Sequence, residues 1–225
     1  MIVPGLVTVA EDAPADLERA VDIVGGGFME EQWFACWLAA LDALGATEGR
    51  KRELLRAAIA DSFGAHVPYQ GVYLLDDGSV AMGMVRASEL SGRTHEELEA
   101  ASSSELDAAA TPEERAALEA RAQAMAPASD FGWSSAHAQG RDHIYAYALA
   151  VSPDARGTGA LRRLFEAVFS YADREGLDVY LECYTDRLEQ LYGHFGFELV
   201  DVLSVPELDL HEHRMVRRAL TRARA

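Results

Sequence analysis

The sequence predicts an α+β fold, with a mixed, mostly antiparallel sheet flanked by helices. Three observations lead to this prediction. An Asp-Gly turn joins two strand-like runs, residues 143–151 alternate large and small side chains, and amphipathic helices lie before, between and after these strands. With 225 residues, 49% of them hydrophobic, the chain is long enough for one substantial core. We therefore expect a single domain over residues 1–225.

The N-terminal part predicts one strand followed by three helices. Residues 6–10 are strand-like, and residues 12–24 place apolar side chains on one helical face. The run Gly25-Gly26-Gly27 is expected to end that first helix. Further helices are predicted for residues 31–44 and 51–65.

The middle of the chain predicts a hairpin and then a helical insertion. Residues 71–86 form the hairpin, because Asp77-Gly78 is a strong two-residue turn signal. From residue 88 to residue 129 the composition shifts to Ala, Glu and Ser. Within this segment Thr111 to Glu114 form a capping box with proline at the first helical position, so we predict a helical insertion at about 88–129.

The C-terminal third alternates strands and helices. His143 to Val151 is a strand in which Tyr145, Tyr147, Leu149 and Val151 are expected to share one face. The remaining elements are two helices and three strands. The helices are predicted at 159–175 and 186–195, and the strands at 178–184, 197–205 and 212–218.

The charge of the chain restricts its partners. A formal net charge of −17 disfavours nucleic acid and anionic membranes and favours cationic partners such as amines. The sequence has no apolar run of eighteen residues and no secretory signal pattern, and its two cysteines make no disulfide framework. A cytoplasmic location is therefore expected, and a homodimer stays open.

The segment from Val151 to Phe165 places two glycines between a strand and the first turn of a helix. Unpaired N–H groups at a helix N-terminus attract anions, and glycine lets an anion approach the backbone. Arg156 and Arg162 would add charge, so a pyrophosphate site and an ordinary tight turn both remain open. The segment lacks the lysine that a Walker loop requires, and it has Arg162 where a dinucleotide-binding fingerprint requires its third glycine. Both nucleotide-binding motifs are therefore poor matches.

Two motifs resemble the GCN5-related N-acetyltransferases. Leu-Ala-Val-Ser-Pro-Asp-Ala-Arg-Gly-Thr-Gly at 149–159 resembles their acetyl-CoA motif, and Leu-Tyr-Gly-His-Phe-Gly-Phe at 191–197 resembles their Leu-Tyr-x-x-x-Gly-Phe signature. Both occur in the family's order and spacing. The insertion and the spacing between Glu182 and Tyr192 look most similar to the puromycin-type antibiotic N-acetyltransferases.

The resemblance implies an acyl-CoA N-acyltransferase fold and a site for acetyl-CoA. The backbone of Leu149, Ala150 and Val151 would pair with pantetheine and separate this strand from the next. The residues implied for the pyrophosphate form one loop and helix start: Arg156, Gly157, Thr158, Gly159, Ala160, Leu161 and Arg162. Thr185 stands where the family often has asparagine, and it is assigned to cofactor binding.

The resemblance also implies roles for two residues on either side of the cleft. Tyr192 matches the general acid that protonates the leaving thiolate, although an amphipathic helix could equally carry a core tyrosine there. Glu182 is the candidate base, with an ion-paired strand carboxylate as the alternative. Cys183 should lie on the opposite face from Glu182 and therefore outside the cleft, as a buried thiol. His143 and His194 are lesser candidates and more simply structural.

The acceptor is expected to be a primary amine, in a cationic small molecule or at a protein N-terminus, and to attack directly. Phe28, Trp33 and Tyr147 are assigned to its site, with core packing as the alternative for the first two. His211-Glu212-His213 could chelate, but no third ligand is identifiable, so no metal is predicted. Leu161 occupies a usually small position and Thr185 replaces asparagine. A non-catalytic acyl-CoA-binding sensor or regulatory module therefore stays open as the alternative.

Overall fold

The computed structural model describes residues 1–220, which form one seven-stranded sheet. The strand order is β1-β2-β3-β4-β5-β7-β6, and within these residues only the neighbours β4 and β5 are parallel. The strands are β1 Leu6–Thr8, β2 Val72–Leu75, β3 Val80–Arg86, β4 His143–Val151, β5 Asp178–Cys183, β6 Glu198–Val205 and β7 Leu210–Arg217. The predicted mixed, mostly antiparallel sheet is confirmed.

Helices cover both faces of the sheet. They are α1 Pro14–Phe28, α2 Gln32–Leu38, α3 Glu48–His66, α4 His95–Ala100, α5 Ser104–Ala109, α6 Pro112–Met125, α7 Trp133–Ala138, α8 Ala160–Glu175 and α9 Asp186–Gly193. One apolar core joins α1, α2, α3 and α6 to the sheet, and a second joins α8. No helix among residues 1–220 is both long and apolar enough to cross a membrane.

Residues 88–129 are largely helical and pack onto α3. Asp61 of α3 accepts hydrogen bonds from the backbone N–H groups of Glu105 and Leu106, each at 2.9 Å. Arg50 of α3 forms an ion pair with Glu114, whose carboxylate also completes the capping box at Thr111. Helix α7 follows and was not predicted. The single-domain and insertion assignments stay predictions, and residues 221–225 of the predicted domain lie outside the described residues.

Strand β4 does not alternate as the sequence predicted. Met84 pairs with Ala146 but Gly83 pairs with Ala148, so Tyr147 is an extra residue in the ladder with β3. Tyr147 packs against the core beneath α1 and α3, whereas Leu149 and Val151 pack against the opposite core. A β-bulge reverses the faces along a strand, so the prediction that all four large residues share one face was wrong.

The bulge coincides with the separation of β4 from β5. The two strands pair only from His143 to Tyr145 with Asp178 to Tyr180. Beyond Tyr145, β4 is hydrogen-bonded to β3 alone, and β5 continues with β7. The sheet therefore opens along the second half of β4, as the family resemblance implied.

The prediction that three glycines end the first helix was also wrong. Helix α1 continues through Gly25, Gly26 and Gly27 to Phe28. A β-carbon on Gly27 would lie 2.8 Å from the β-carbon of Ala150 in β4, which is too close for any side chain. Glycine is needed here because α1 crosses directly over β4.

Two alanine substitutions in α1 should change stability in opposite directions. Gly27→Ala should lower the free energy of unfolding by about 1–2 kcal/mol, because the clash with Ala150 outweighs the gain in helix propensity. Gly26→Ala should raise it by about 0.5–1 kcal/mol, because a β-carbon there meets nothing within 4 Å. Urea denaturation measures both. Equal stabilisation by both variants would contradict this account of the helix.

Candidate active site

A cavity of about 570 Å³ lies where β4 and β5 separate. Its walls come from the end of α1, the start of α2, the second half of β4, the end of β5 and helix α9. Helices α3 and α4 close one end beside Tyr147. At the other end, beyond Val151, lie Arg156 and the first turn of α8.

The turn before α8 has the geometry that an anion site requires. Gly157 and Gly159 adopt φ angles of +78° and +86°, in the left-handed region, and no atom lies within 4 Å of where a β-carbon would be. Helix α8 has no side-chain cap, so its first backbone N–H groups remain available. These residues fit the pyrophosphate of acetyl-CoA, which the helix terminus and Arg156 would neutralise.

The predicted cofactor residues are placed in two groups. Those lining the cavity are Leu149, Ala150, Val151, Arg156 and Leu161. The others are on the turn, along α8 or at α9 without lining it: Gly157, Thr158, Gly159, Ala160, Arg162 and Thr185. Leu161 is half-buried against the core.

Two of these side chains already have local partners. Thr185 caps α9, accepting from Leu188 N at 3.2 Å. The guanidinium of Arg162 lies 5.8 Å from the centre of the Phe195 ring. No ligand contact tests any of these residues, so their assignment stays a prediction.

Glu182 lies in the cavity wall between two hydrogen-bond donors. Tyr145 Oη donates to Glu182 Oε1 at 2.7 Å, and Trp133 Nε1 donates to Glu182 Oε2 at 3.0 Å. Burial raises the pKa of this carboxyl to about 7, against the opposing effect of the two donors. Among residues 1–220 no arginine lies at hydrogen-bond distance from this carboxylate, unlike that of Glu212, which accepts from Arg214 Nε at 2.6 Å. A carboxyl whose pKa is about 7 suits a general base.

Tyr192 lines the same cavity from α9, and its side chain is 8% exposed. Phe165 and Phe197 pack against its ring, with centroids at 6.0 and 5.9 Å. Its hydroxyl has no hydrogen-bond partner among residues 1–220. Burial raises the pKa of the phenol, and the nearby carboxylates of Glu31 and Glu182 raise it further. The hydroxyl therefore stays protonated and can donate.

The three predicted acceptor residues all line the cavity. Phe28 packs on Phe34 with ring centroids 4.9 Å apart, and Trp33 Nε1 donates to Ser129 Oγ at 2.9 Å. Tyr147 Oη donates to the carbonyl of Gly71 at 3.2 Å. The bulge in β4 turns the Tyr147 ring into the cavity. Their role in acceptor binding stays a prediction.

Sequence reasoning missed several polar residues of this cavity. Glu31 precedes α2 and accepts a hydrogen bond from Phe34 N at 3.1 Å, and burial raises its pKa to about 7. The signal was an acidic residue at the N-cap of an apolar helix. Trp133 and Tyr145 do not line the cavity, but they donate hydrogen bonds to Glu182 in its wall. They gave no local signal, because these contacts join distant parts of the chain.

The other reactive side chains have partners of their own. Cys183 lines the cavity, so the expectation that it lies outside the cleft was wrong. Its Sγ packs against Met215 Sδ at 4.0 Å, and burial raises its pKa to about 12. His143 and His194 bond to nearby carbonyls. His211 and His213 contact different partners, and His213 lies near Asp186 and Glu189. Asp186, Glu189 and His213 form one of two groups among the described residues whose spacing would allow them to bind a metal ion. The absence of a metal therefore stays a prediction.

Comparison with known proteins agrees with this geometry. A model of the acetyltransferase (GNAT) family matches residues 31–197. An uncharacterized N-acetyltransferase of Schizosaccharomyces pombe is 42% identical over 57 residues. That match covers 25% of this chain, and it spans only 23% of the length of that curated relative.

Solved structures share the fold at low identity. A structure described as histone acetyltransferase and related acetyltransferase, from Corynebacterium glutamicum, has a TM-score of 0.56 and 18% identity over 99% of both chains. An N-acetyltransferase from Staphylococcus aureus has a TM-score of 0.55 and 14% identity, and the match covers 94% of this chain and 98% of that one. A polyamine N-acetyltransferase from Drosophila melanogaster has a TM-score of 0.51 and 17% identity, and the match covers 94% of this chain and 96% of that one.

These likenesses show the fold, and the puromycin-type branch stays a prediction. The family model spans well over half of the chain, and the open sheet and the glycine turn lie within the matched residues. This chain belongs to the acetyltransferase (GNAT) family.

Proposed function

We propose that this protein transfers an acetyl group from acetyl-CoA to a primary amine of a cationic small molecule by direct attack. The observation that carries the proposal is the pairing of Glu182 and Tyr192 in one cavity. The Glu182 carboxyl has a pKa of about 7, and the Tyr192 phenol remains protonated. The cavity opens beside a glycine turn that suits an anion.

Two elements of this chain bind acetyl-CoA, the strand β4 and the helix α8. Alternate backbone groups of the segment from Leu149 to Val151 face the side of β4 that β5 has left, so this segment pairs with an extended ligand segment. The first N–H groups of α8 and the guanidinium of Arg156 hold the pyrophosphate. When bound, acetyl-CoA supplies an activated thioester.

Three groups then act on the reacting atoms. Glu182 accepts the proton that the amine must lose before or during attack. The N–H near Val151 donates to the thioester oxygen as negative charge develops there. Tyr192 donates its hydroxyl proton to the departing sulfur. Holding both substrates in one cavity supplies the remaining acceleration.

A cationic acceptor is supported by the charges around the cavity. Its wall carries four carboxyl groups, those of Glu30, Glu31, Glu99 and Glu182. Its two arginines, Arg156 and Arg187, lie after β4 and on α9, towards the cofactor end. Two structural neighbours are described as agmatine and polyamine N-acetyltransferases, and both are 17% identical to this chain. The net charge of −17 favours small cationic amines as partners over nucleic acid or anionic membranes.

One observation favours the alternative of a non-catalytic acyl-CoA-binding module. Leu161 lines the cavity at the first turn of α8, where its side chain narrows the approach to the backbone. Thiol release from acetyl-CoA in the presence of an amine separates the two functions. Release that depends on the amine requires an enzyme.

Calorimetric titration with acetyl-CoA tests the cofactor site, with ATP and NAD as control ligands. We expect saturable micromolar binding of acetyl-CoA alone. Gly159→Val should weaken that binding by about 10-fold or more, because φ of +86° strains a branched residue and its side chain fills the anion site. Gly176→Val, at φ +71° beyond the other end of α8, is the matched control for strain. Equal affinity in the wild type and Gly159→Val would remove the glycine turn from the cofactor site.

A further inference from the structure

Four polar residues of α3 and α4 meet at the end of the cavity beside Tyr147, and the proposed reaction does not use them. We call Ser62, His66, His95 and Glu99 the distal cluster. Ser62, His95 and Glu99 line the cavity, and His66 lies fully buried behind them. The Tyr147 ring stacks on both imidazoles, with centroids 4.6 Å away in each case.

The hydrogen bonds within the cluster fix the tautomer of each histidine. Burial lowers the pKa of His66 to about 4 and that of His95 well below its usual value, so both rings are neutral. His66 Nδ1 lies 2.6 Å from the carbonyl of Ser62, which only accepts, so this nitrogen carries the hydrogen. His66 Nε2 is then an acceptor. It lies 3.0 Å from His95 Nδ1, which must be the donor.

The cluster therefore presents acceptors to the cavity. His95 Nε2 is left as a lone-pair acceptor, with no hydrogen-bond partner among residues 1–220. Glu99 Oε1 accepts from Ser62 Oγ at 2.6 Å, which uses the hydroxyl hydrogen of Ser62. The aromatic rings of His95 and Tyr147 line the same end of the cavity, beside the Glu99 carboxyl. A ligand that satisfies this surface must donate hydrogen bonds and carry positive charge.

The distal cluster and Glu182 lie along one wall. Tyr145 donates to Glu182, and its ring contacts His95 with centroids 4.9 Å apart. His95 in turn reaches Glu99 through His66 and Ser62. The cavity thus carries the Glu182 carboxyl at its reacting end and the Glu99 carboxyl at its distal end, and Tyr145 and His95 connect the two.

We propose that the acceptor is a linear dication, such as an aliphatic diamine, whose second ammonium group binds Glu99 and His95 Nε2 while the reacting amine lies at Glu182. This inference rests on the proposed function. A divalent metal fits the cluster less well, because His95 Nδ1 already occupies the lone pair of His66 Nε2. A bound metal ion would have to break that hydrogen bond.

Acetylation of two matched substrate series tests the distal site. The series are linear diamines and alkyl monoamines of equal carbon number, each assayed for kcat and KM with acetyl-CoA. The wild type should prefer the diamine by about 10-fold or more in kcat/KM. Glu99→Gln should reduce that preference about 10-fold, through KM and with kcat nearly unchanged. His95→Phe keeps an aromatic ring but removes Nε2 together with the Nδ1 hydrogen bond to His66, and it should reduce the preference in the same direction.

Glu119→Gln, on the exposed face of α6, is the matched control and should leave the preference unchanged. Thermal melting of each variant shows whether it is folded. Equal kcat/KM for the two wild-type series, or an unchanged preference in Glu99→Gln, would overturn the distal site while leaving amine acetylation standing. Stoichiometric Zn²⁺ binding lost in Glu99→Gln would identify a metal site instead. Failure to acetylate any amine of either series would overturn the proposed function as well.

Discussion

Replacing Glu182 with glutamine should lower kcat/KM for the acceptor amine by on the order of 10²- to 10³-fold near neutral pH. Glutamine keeps the size of the side chain. Its oxygen can accept from Trp133 Nε1 while its NH2 group donates to the hydroxyl oxygen of Tyr145, so the cavity wall should survive. What it loses is the ability to take a proton. Single-turnover kinetics with acetyl-CoA already bound would isolate this step from binding.

The pH profile gives the same prediction a sharper form. Burial raises the pKa of Glu182 to about 7, so the carboxyl is protonated and inactive below that pH and becomes a base above it. For an acceptor that binds as ammonium, wild-type kcat/KM should rise through about pH 7 and then stay level until the amine itself titrates near ~10. In Glu182→Gln, kcat/KM should follow the fraction of neutral amine and increase steadily with pH, with no inflection near pH 7.

A variant of the neighbouring donor provides the control. Tyr145→Phe removes a hydrogen bond that stabilises the ionised carboxylate, so it should move the rise in the wild-type profile to higher pH. A purely structural role for Tyr145 would leave the midpoint in place. If Glu182→Gln keeps both its rate and the break near pH 7, the base lies elsewhere. Glu31, whose pKa burial also raises to about 7, is then the carboxyl to replace.

Local patterns predicted the elements that build the cofactor side of this cavity. Strand β4, the glycine turn, α8, β5 and α9 each have a strong period or a cap, and their predicted bounds differ from the structure by about two residues or fewer. The two family motifs lie in this half. The alternation rule failed for Cys183, because the cavity reaches around the end of β5 and both Glu182 and Cys183 line it.

The acceptor side was harder to predict, because its features depend on contacts between distant residues. Gly25 to Gly27 look like a helix stop until α1 is seen crossing β4 at Ala150. The bulge at Tyr147 appears only in the pairing with β3. His66 and Glu99 are separated by 33 positions, and neither carries a motif.

Tyr192→Phe is expected to lower kcat by on the order of 10²-fold while changing the dissociation constant for acetyl-CoA by less than about twofold. The leaving thiolate then has only water as a proton source. Because the ring of Tyr192 packs on Phe165 and Phe197, phenylalanine keeps that packing. Its hydroxyl lacks a partner among the described residues, so the melting temperature should stay the same or rise.

Tyr171→Phe is the matched control for this variant. Tyr171 is also a buried tyrosine, on α8, and its hydroxyl accepts from Arg86 at 3.2 Å rather than facing the cavity. That variant should bind and turn over acetyl-CoA as the wild type does. Stopped-flow measurement of thiol release separates the chemical step from product release. If Tyr192→Phe releases thiol at the wild-type rate, the departing sulfur gains its proton from another group. The position of Tyr192 in the family signature would then reflect packing between α8 and α9.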